Sequence, residues 1–171
     1  MPIELTKIKY PHLNARQKEN YNFLKVSAVL ADYGFVTMRL SDDWQGADFV
    51  AQHVDGATFL RVQLKSRLTF DKRLRRKDLY VTFPHNRDWY LYPHDELLSC
   101  VARRRVIKGR NGKRGVIDSK SWKQKGKYSF PGLSQAVLTV LAPYKISQPR
   151  HWGISLEQSQ RREIPLVAGW V

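Results

Sequence analysis

The sequence predicts a mixed α/β fold: a central mixed sheet flanked by helices, with a basic extension toward its C-terminal end. Three observations carry this. A stretch of helical periodicity comes first, strand-like runs separated by turn residues follow it, and positive charge accumulates beyond residue 100. With 171 residues the chain is long enough for one domain with a real core and short for two.

The helix spans about Asn14 to Tyr33. Asn14 is a good N-cap, and Gln17 stands three residues on, where its capping-box partner belongs. Phe23, Val26, Leu30 and Tyr33 recur at helical spacing, and Gly34 supplies a left-handed stop. Glu19 lies four residues before Phe23 on the same stripe, where a carboxylate needs a cation to meet it. Phe35 to Leu40 reads as the first strand. Ala47 to His53 and Thr58 to Lys65 flank an Asp55-Gly56 turn, completing a three-strand meander. Leu79 to Phe83 and Trp89 to Tyr92 are two further strands, and a short helix begins near His94. Beyond Cys100, Val106-Ile107 and Val116-Ile117 bracket Asn111-Gly112 as a second, basic hairpin. Leu133, Ala136, Val137, Val140 and Leu141 form one face of a helix ended by Pro143.

The formal net charge is +15, unevenly spread. Residues 1–100 carry 15 Lys and Arg against 12 Asp and Glu, whereas residues 101–171 carry 15 against 3. The first part reads as the core, and the second as a basic extension, with a hairpin and a helix, packed on the same domain. Such a charge draws polyanions, of which nucleic acid is the commonest large one in a cell. Cys100 is the single cysteine, which excludes an internal disulfide and a thiolate metal cluster. No run of signal-peptide form is present, and no stretch approaches the ~20 apolar residues that cross a bilayer. The expected setting is therefore cytoplasmic, in association with the nucleoid.

One constellation carries chemistry. Asp48 enters one arm of the hairpin, while Gln63 and Lys65 sit near the end of the other. Strand side chains alternate, so Arg61, Gln63 and Lys65 form a polar row and Leu60, Val62 and Leu64 an apolar one. Asp48 can supply an anionic oxygen and Gln63 a carbonyl oxygen to a hard divalent cation, with Glu19 adding a carboxylate. Lys65 can orient an attacking water and stabilise charge developing on phosphorus. A plain hairpin with a polar solvent face would place the same residue types without chemistry. Glu19, likewise, could be a helix-face charge paired with a nearby Lys or Arg.

The run Gly46-Ala47-Asp48, followed by Leu60-Arg61-Val62-Gln63-Leu64-Lys65-Ser66, resembles the PD-(D/E)XK nuclease superfamily. The likeness covers roughly Asn14 to Glu96 and is nearest in form to its homing-endonuclease-like and resolvase-like members. It implies a restriction-endonuclease-like core in residues 1–100, with Asp48, Gln63, Lys65 and Glu19 catalytic. Asp48, Gln63 and Glu19 would be the metal ligands, for Mg2+ or Mn2+. Two positions depart from the pattern. Ala47 stands for proline, and Gln63 stands for the acidic residue, removing one negative charge from the metal site.

The resemblance implies a metal-dependent DNA endonuclease that hydrolyses phosphodiester bonds site-specifically or structure-specifically. It would act on duplex or branched DNA as a homodimer. The alternatives are a catalytically inactive nuclease-fold DNA-binding protein and a basic RNA-binding protein. Candidate nucleic-acid contacts are Arg61, Arg67, Lys72, Arg73, Arg75, Arg76, Lys77, Arg103, Arg104, Arg105, Lys108, Arg110, Lys113 and Arg114. Lys120, Lys123, Lys125 and Lys127 continue the basic run, with Trp122, Tyr128 and Phe130 interleaved; packing is favoured over base stacking for those aromatics.

Overall fold

A computed structural model describes residues 3–103 and 116–146. The first helix, α1 (Ala15–Ala31), begins where the capping box places it. The Asn14 side chain accepts the Gln17 N–H and the Gln17 side chain accepts the Asn14 N–H, both at 2.9 Å. Gly34 then turns the chain into β1 (Phe35–Trp44), which runs four residues further than the pattern suggested.

β1, β2 (Ala47–His53) and β3 (Phe59–Leu64) form the antiparallel meander. β5 (Tyr80–His85) lies parallel to β3, with Gln63 beside Val81, and β6 (Asp88–Pro93) returns antiparallel to β5. Among the described residues these join β8 (Lys145–Ile146) in a six-stranded mixed sheet ordered β1-β2-β3-β5-β6-β8. The turn between β5 and β6 is tighter than the sequence suggested. Only Asn86 and Arg87 lie outside the ladder, both at positive φ, as a two-residue mirror-image turn requires.

Side-chain alternation sorts the core onto the two faces of this sheet. Phe49, Leu60, Val62, Tyr80, Trp89 and Leu91 face Val26, Val29 and Leu30 of α1. Fully burying side chains such as Phe49 and Val62 stabilises by roughly 2 kcal/mol each. Val81, Phe83, Tyr90 and Tyr92 face the other way, onto α2 (His94–Arg103), α3 (Lys120–Lys125) and α4 (Gln135–Leu141). A second, two-stranded sheet, β4 (Thr69–Asp71) with β7 (Lys127–Ser129), belongs to that layer. Neither of these strands nor α3 was legible in the sequence, because β4 pairs with residues some sixty positions away.

Two expectations need correction. Val116 and Ile117 lie in a turn rather than on a strand; the other arm of the expected basic hairpin and its tip lie outside the described residues. Glu19 does not continue the inward stripe of α1. Its side chain is 55% exposed, yet the expected cation is present as Arg39.

Candidate active site

The site forms at one end of β2. Trp44 pairs with Ala47, leaving Gln45 and Gly46 as a two-residue turn with φ of 54° and 98°. A Cβ on Gly46 would stand 2.8 Å from the Leu74 Cδ2 and 3.3 Å from the Leu79 Cδ1, so the turn rests on those two side chains. Leu74 is itself held from below. His94, buried at the start of α2, accepts the Asp71 N–H through Nε2 at 3.3 Å and meets Asp95 Oδ1 through Nδ1 at 2.8 Å. Asp95 Oδ2 in turn accepts the Arg76 N–H at 2.6 Å, which secures both ends of the segment carrying Leu74. Burial lowers the affinity of His94 for a second proton, against the pull of Asp95.

Asp48 follows this turn directly. The last register pair of β2 with β3 is Phe49 with Val62; beyond it the strands fork. Asp48 Oδ2 bridges the fork by accepting the Leu64 N–H at 2.6 Å. A charged acceptor on a backbone donor contributes roughly 1.5–3 kcal/mol. Because Val62 faces α1, Gln63 turns to the opposite side of the sheet, beside Val81. Gln63 Oε1 is buried there with no hydrogen-bond partner in the protein, a condition that costs on the order of 1–3 kcal/mol. Two residues on, the Lys65 N–H bonds the Thr82 carbonyl at 2.9 Å and prolongs the parallel ladder. Burial holds the Lys65 ammonium below the ordinary lysine range; Lys127 and Arg73 push the same way, while Asp48 and Asp71 oppose them.

Glu19 reaches the same locality from α1. A cleft of about 610 Å³ is lined by Glu19 and Asp48 together with Arg16, Arg39, Ser41 and Asp42. Within it Glu19 Oε1 is bonded to Arg39 Nη2 at 2.5 Å, and Arg39 Nη1 also reaches Asn20 Oδ1 at 3.0 Å. The structure thus brings Asp48 and Glu19 to one cleft, with Gln63 and Lys65 at the adjoining fork. Arg39, Asp42 and Asp71 had no signal in the sequence; the β1–β2 hairpin and the β4–β7 pairing bring them in.

The oxygen donors suit a hard divalent cation: a carboxylate at Asp48, the unpartnered amide oxygen of Gln63, and Glu19 across the cleft. Among the described residues no three His, Cys, Asp or Glu side chains converge into a ready cage, so substrate and water oxygens would complete the shell.

The basic residues divide by environment. Arg61 is committed to the neighbouring segment, its Nη2 donating to the Lys77 carbonyl at 2.5 Å, with the Asp78 carboxylate 3.7 Å away. The Lys72 ammonium lies 5.4 Å over the Trp122 ring. Arg67, Arg75 and Arg76 are exposed and Lys77 is half-buried. Arg104, Arg105, Lys108, Arg110, Lys113 and Arg114, and the side chain of Arg103, lie outside the described residues. Trp122 and Phe130 are core residues, and Tyr128 packs against them, as ordinary packing requires.

No known family model matches the chain, and no curated relative matches it. Among solved structures, the chain is similar to the Holliday junction resolvase Hjc of Archaeoglobus fulgidus at 18% identity and a TM-score of 0.38. That match covers 46% of this chain and 74% of the other. What the site can do follows from its own residues. Among the described residues, no helix is long and apolar enough to cross a membrane.

Proposed function

We propose that the chain is a metal-dependent nuclease that hydrolyses phosphodiester bonds of DNA at the Asp48–Gln63–Lys65 fork. The single observation that carries this reading is the buried Gln63 Oε1 with no partner, at the fork that the Asp48 carboxylate bridges. A buried orphan oxygen at a fork bridged by a carboxylate is a poor way to stabilise a fold and a good way to receive a cation. Asp48, Gln63 and Glu19 would hold Mg2+ or Mn2+, which supplies Lewis acidity and a more acidic bound water. Lys65 holds its proton toward a non-bridging phosphate oxygen and orients the attacking water. The Leu64 N–H restrains Asp48, so that carboxylate keeps its direction when substrate arrives.

Duplex or branched DNA is the proposed substrate, cut by a homodimer either at a sequence or at a structure. The net charge of +15 supports a polyanionic partner. The test is nicking of plasmid and of branched DNA with Mg2+ or Mn2+. Lys65→Ala and Asp48→Asn should each lower the cleavage rate on the order of 100-fold, the usual scale for losing one charge-stabilising or proton-handling group.

One observation favours a second reading, a DNA-binding protein that keeps the nuclease fold without turnover. Glu19 is ion-paired with Arg39, and Gln63 carries no charge, so the cleft is less anionic than a strong metal site needs. Wild type that binds duplex as well as Lys65→Ala does, with neither cutting, would decide for that reading.

A further inference from the structure

Beside the fork lies a group of side chains outside the nuclease signature. β4 and β7 pair Asp71 with Lys127, and the Lys72 N–H bonds the Gly126 carbonyl at 2.7 Å, which fixes the two strands side by side. The Asp71 side chain is only 4% exposed, yet it grips a surface residue. Its Oδ1 accepts the Arg73 backbone N–H at 3.0 Å and Nε at 3.2 Å, while Oδ2 accepts Nη2 at 2.8 Å. The Arg73 side chain is nevertheless 81% exposed. A buried carboxylate therefore anchors one edge of a guanidinium and presents the group to solvent.

Asp71 caps the turn Lys72–Leu74 through the Arg73 N–H, but its two further bonds to the guanidinium go beyond a cap. Burying a carboxylate is costly, and an apolar residue of similar size would commonly serve a fold as well or better. Burial raises the proton affinity of Asp71, but the Arg73 bonds and the Arg73 and Lys127 charges outweigh it, so the carboxylate stays ionised at neutral pH. What the pair achieves is preorganisation. An ordinary surface arginine loses rotamer freedom when it grips an anion, whereas Arg73 has already lost it. Lys127 stands opposite Asp71 in the ladder, and Leu74, the residue after Arg73, abuts Gly46 in the turn that leads into Asp48, which places this cationic edge beside the fork.

We propose that Arg73, oriented by the positioning residue Asp71 and joined by Lys127, is a phosphate clamp that holds the DNA backbone next to the Asp48–Gln63–Lys65 fork. The proposal rests on the reading of this site as one that meets DNA. It gives Asp71 a role that charge along the sequence does not assign.

The test is binding of a fluorescein-labelled mixed-sequence duplex by the full chain in EDTA, where no cutting occurs, over a series of KCl concentrations. Arg73→Ala and Lys127→Ala should each weaken binding several-fold and each reduce the slope of log affinity against log salt by about 1. Asp71→Asn should copy Arg73→Ala, the double variant should lose no more than either alone, and Arg73→Lys should not restore the wild-type value. Unchanged slopes in Arg73→Ala and Lys127→Ala, each shown by circular dichroism to be folded, would overturn the clamp. Asp71→Asn that lowers the melting temperature but binds like wild type would reduce Asp71 to a structural role and overturn its part. Because the assay is metal-free, it is independent of turnover. A chain that shows these slope changes but cuts no DNA keeps the clamp and loses the nuclease reading.

Discussion

The two turns at the ends of β2 look alike in sequence and differ in what holds them. At the far end, Asp55 and Gly56 make a turn that supports itself. Asp55 Oδ1 accepts the Ala57 and Thr58 N–H groups at 2.9 and 2.8 Å, Oδ2 accepts the Thr58 hydroxyl at 2.7 Å, and a Cβ on Gly56 would meet nothing. At the site end, Gln45 and Gly46 rest on Leu74 and Leu79, which come from a different part of the chain. A turn stabilised by its own residues forms wherever it is put. A turn wedged against a distant segment forms in one place only, and it carries Asp48 to that place.

The largest expected effect breaks the comparison at Gly46. Alanine there combines a positive φ with overlap at 2.8 Å on Leu74, so Gly46→Ala should destabilise by about 3 kcal/mol in urea unfolding. Leu74→Ala should cost about 3 kcal/mol alone but clearly less in the Gly46→Ala background, because it opens the space the new methyl needs. Additive losses would show that the two do not touch.

Gly56→Ala meets no obstacle except its φ of 75°, so its loss should be near 1 kcal/mol. A loss as large as that at Gly46 would remove the distinction between the turns. Asp55→Asn should be smaller still and pH-dependent. Hydrogen bonds from Thr58, with that of Ala57, hold the Asp55 carboxyl well below the ordinary carboxylate range. Its contribution is therefore present above the unfolded value near pH 4 and lost as pH falls below it, so wild type and variant should converge in acid.

The site end carries one effect of opposite sign. Burial depresses the folded-state affinity of Lys65 for its proton, so the charged group burdens the fold at neutral pH. Lys65→Met should raise the melting temperature slightly while abolishing cleavage, as catalytic groups in unfavourable surroundings do. The wild-type deficit should shrink as pH rises from the lowered folded-state pKa toward the ordinary lysine value of about 10.4. A lower melting temperature in the variant would show that the attraction of the Asp48 and Asp71 charges for Lys65 outweighs its burial.

Local chemistry was legible. The capping box at Asn14 and Gln17, the bounds of β2, the Asp55-Gly56 turn and the inward row Leu60, Val62 and Leu64 all depend on residues within a few positions of each other. Chain order also put Asp48 on one strand and Gln63 and Lys65 at the end of the next. The partners of the charges were not legible. Arg61 looked like a member of the polar row yet serves the carbonyls of the segment before β5, and Glu19 meets an arginine twenty residues away. Asp71 stood in no motif at all.

By itself, then, the sequence determined which residue types face each other across β2 and β3, because strand alternation and turn chemistry act over a few residues and tolerate little choice. Tertiary structure alone decided the fork at Asp48, the burial of Gln63 Oε1, and the pairing of Asp71 with Lys127 across β4 and β7. Those depend on segments far apart in the chain, and their free energy comes from excluding water and placing charges in a shared low-dielectric space, which no short stretch of sequence encodes.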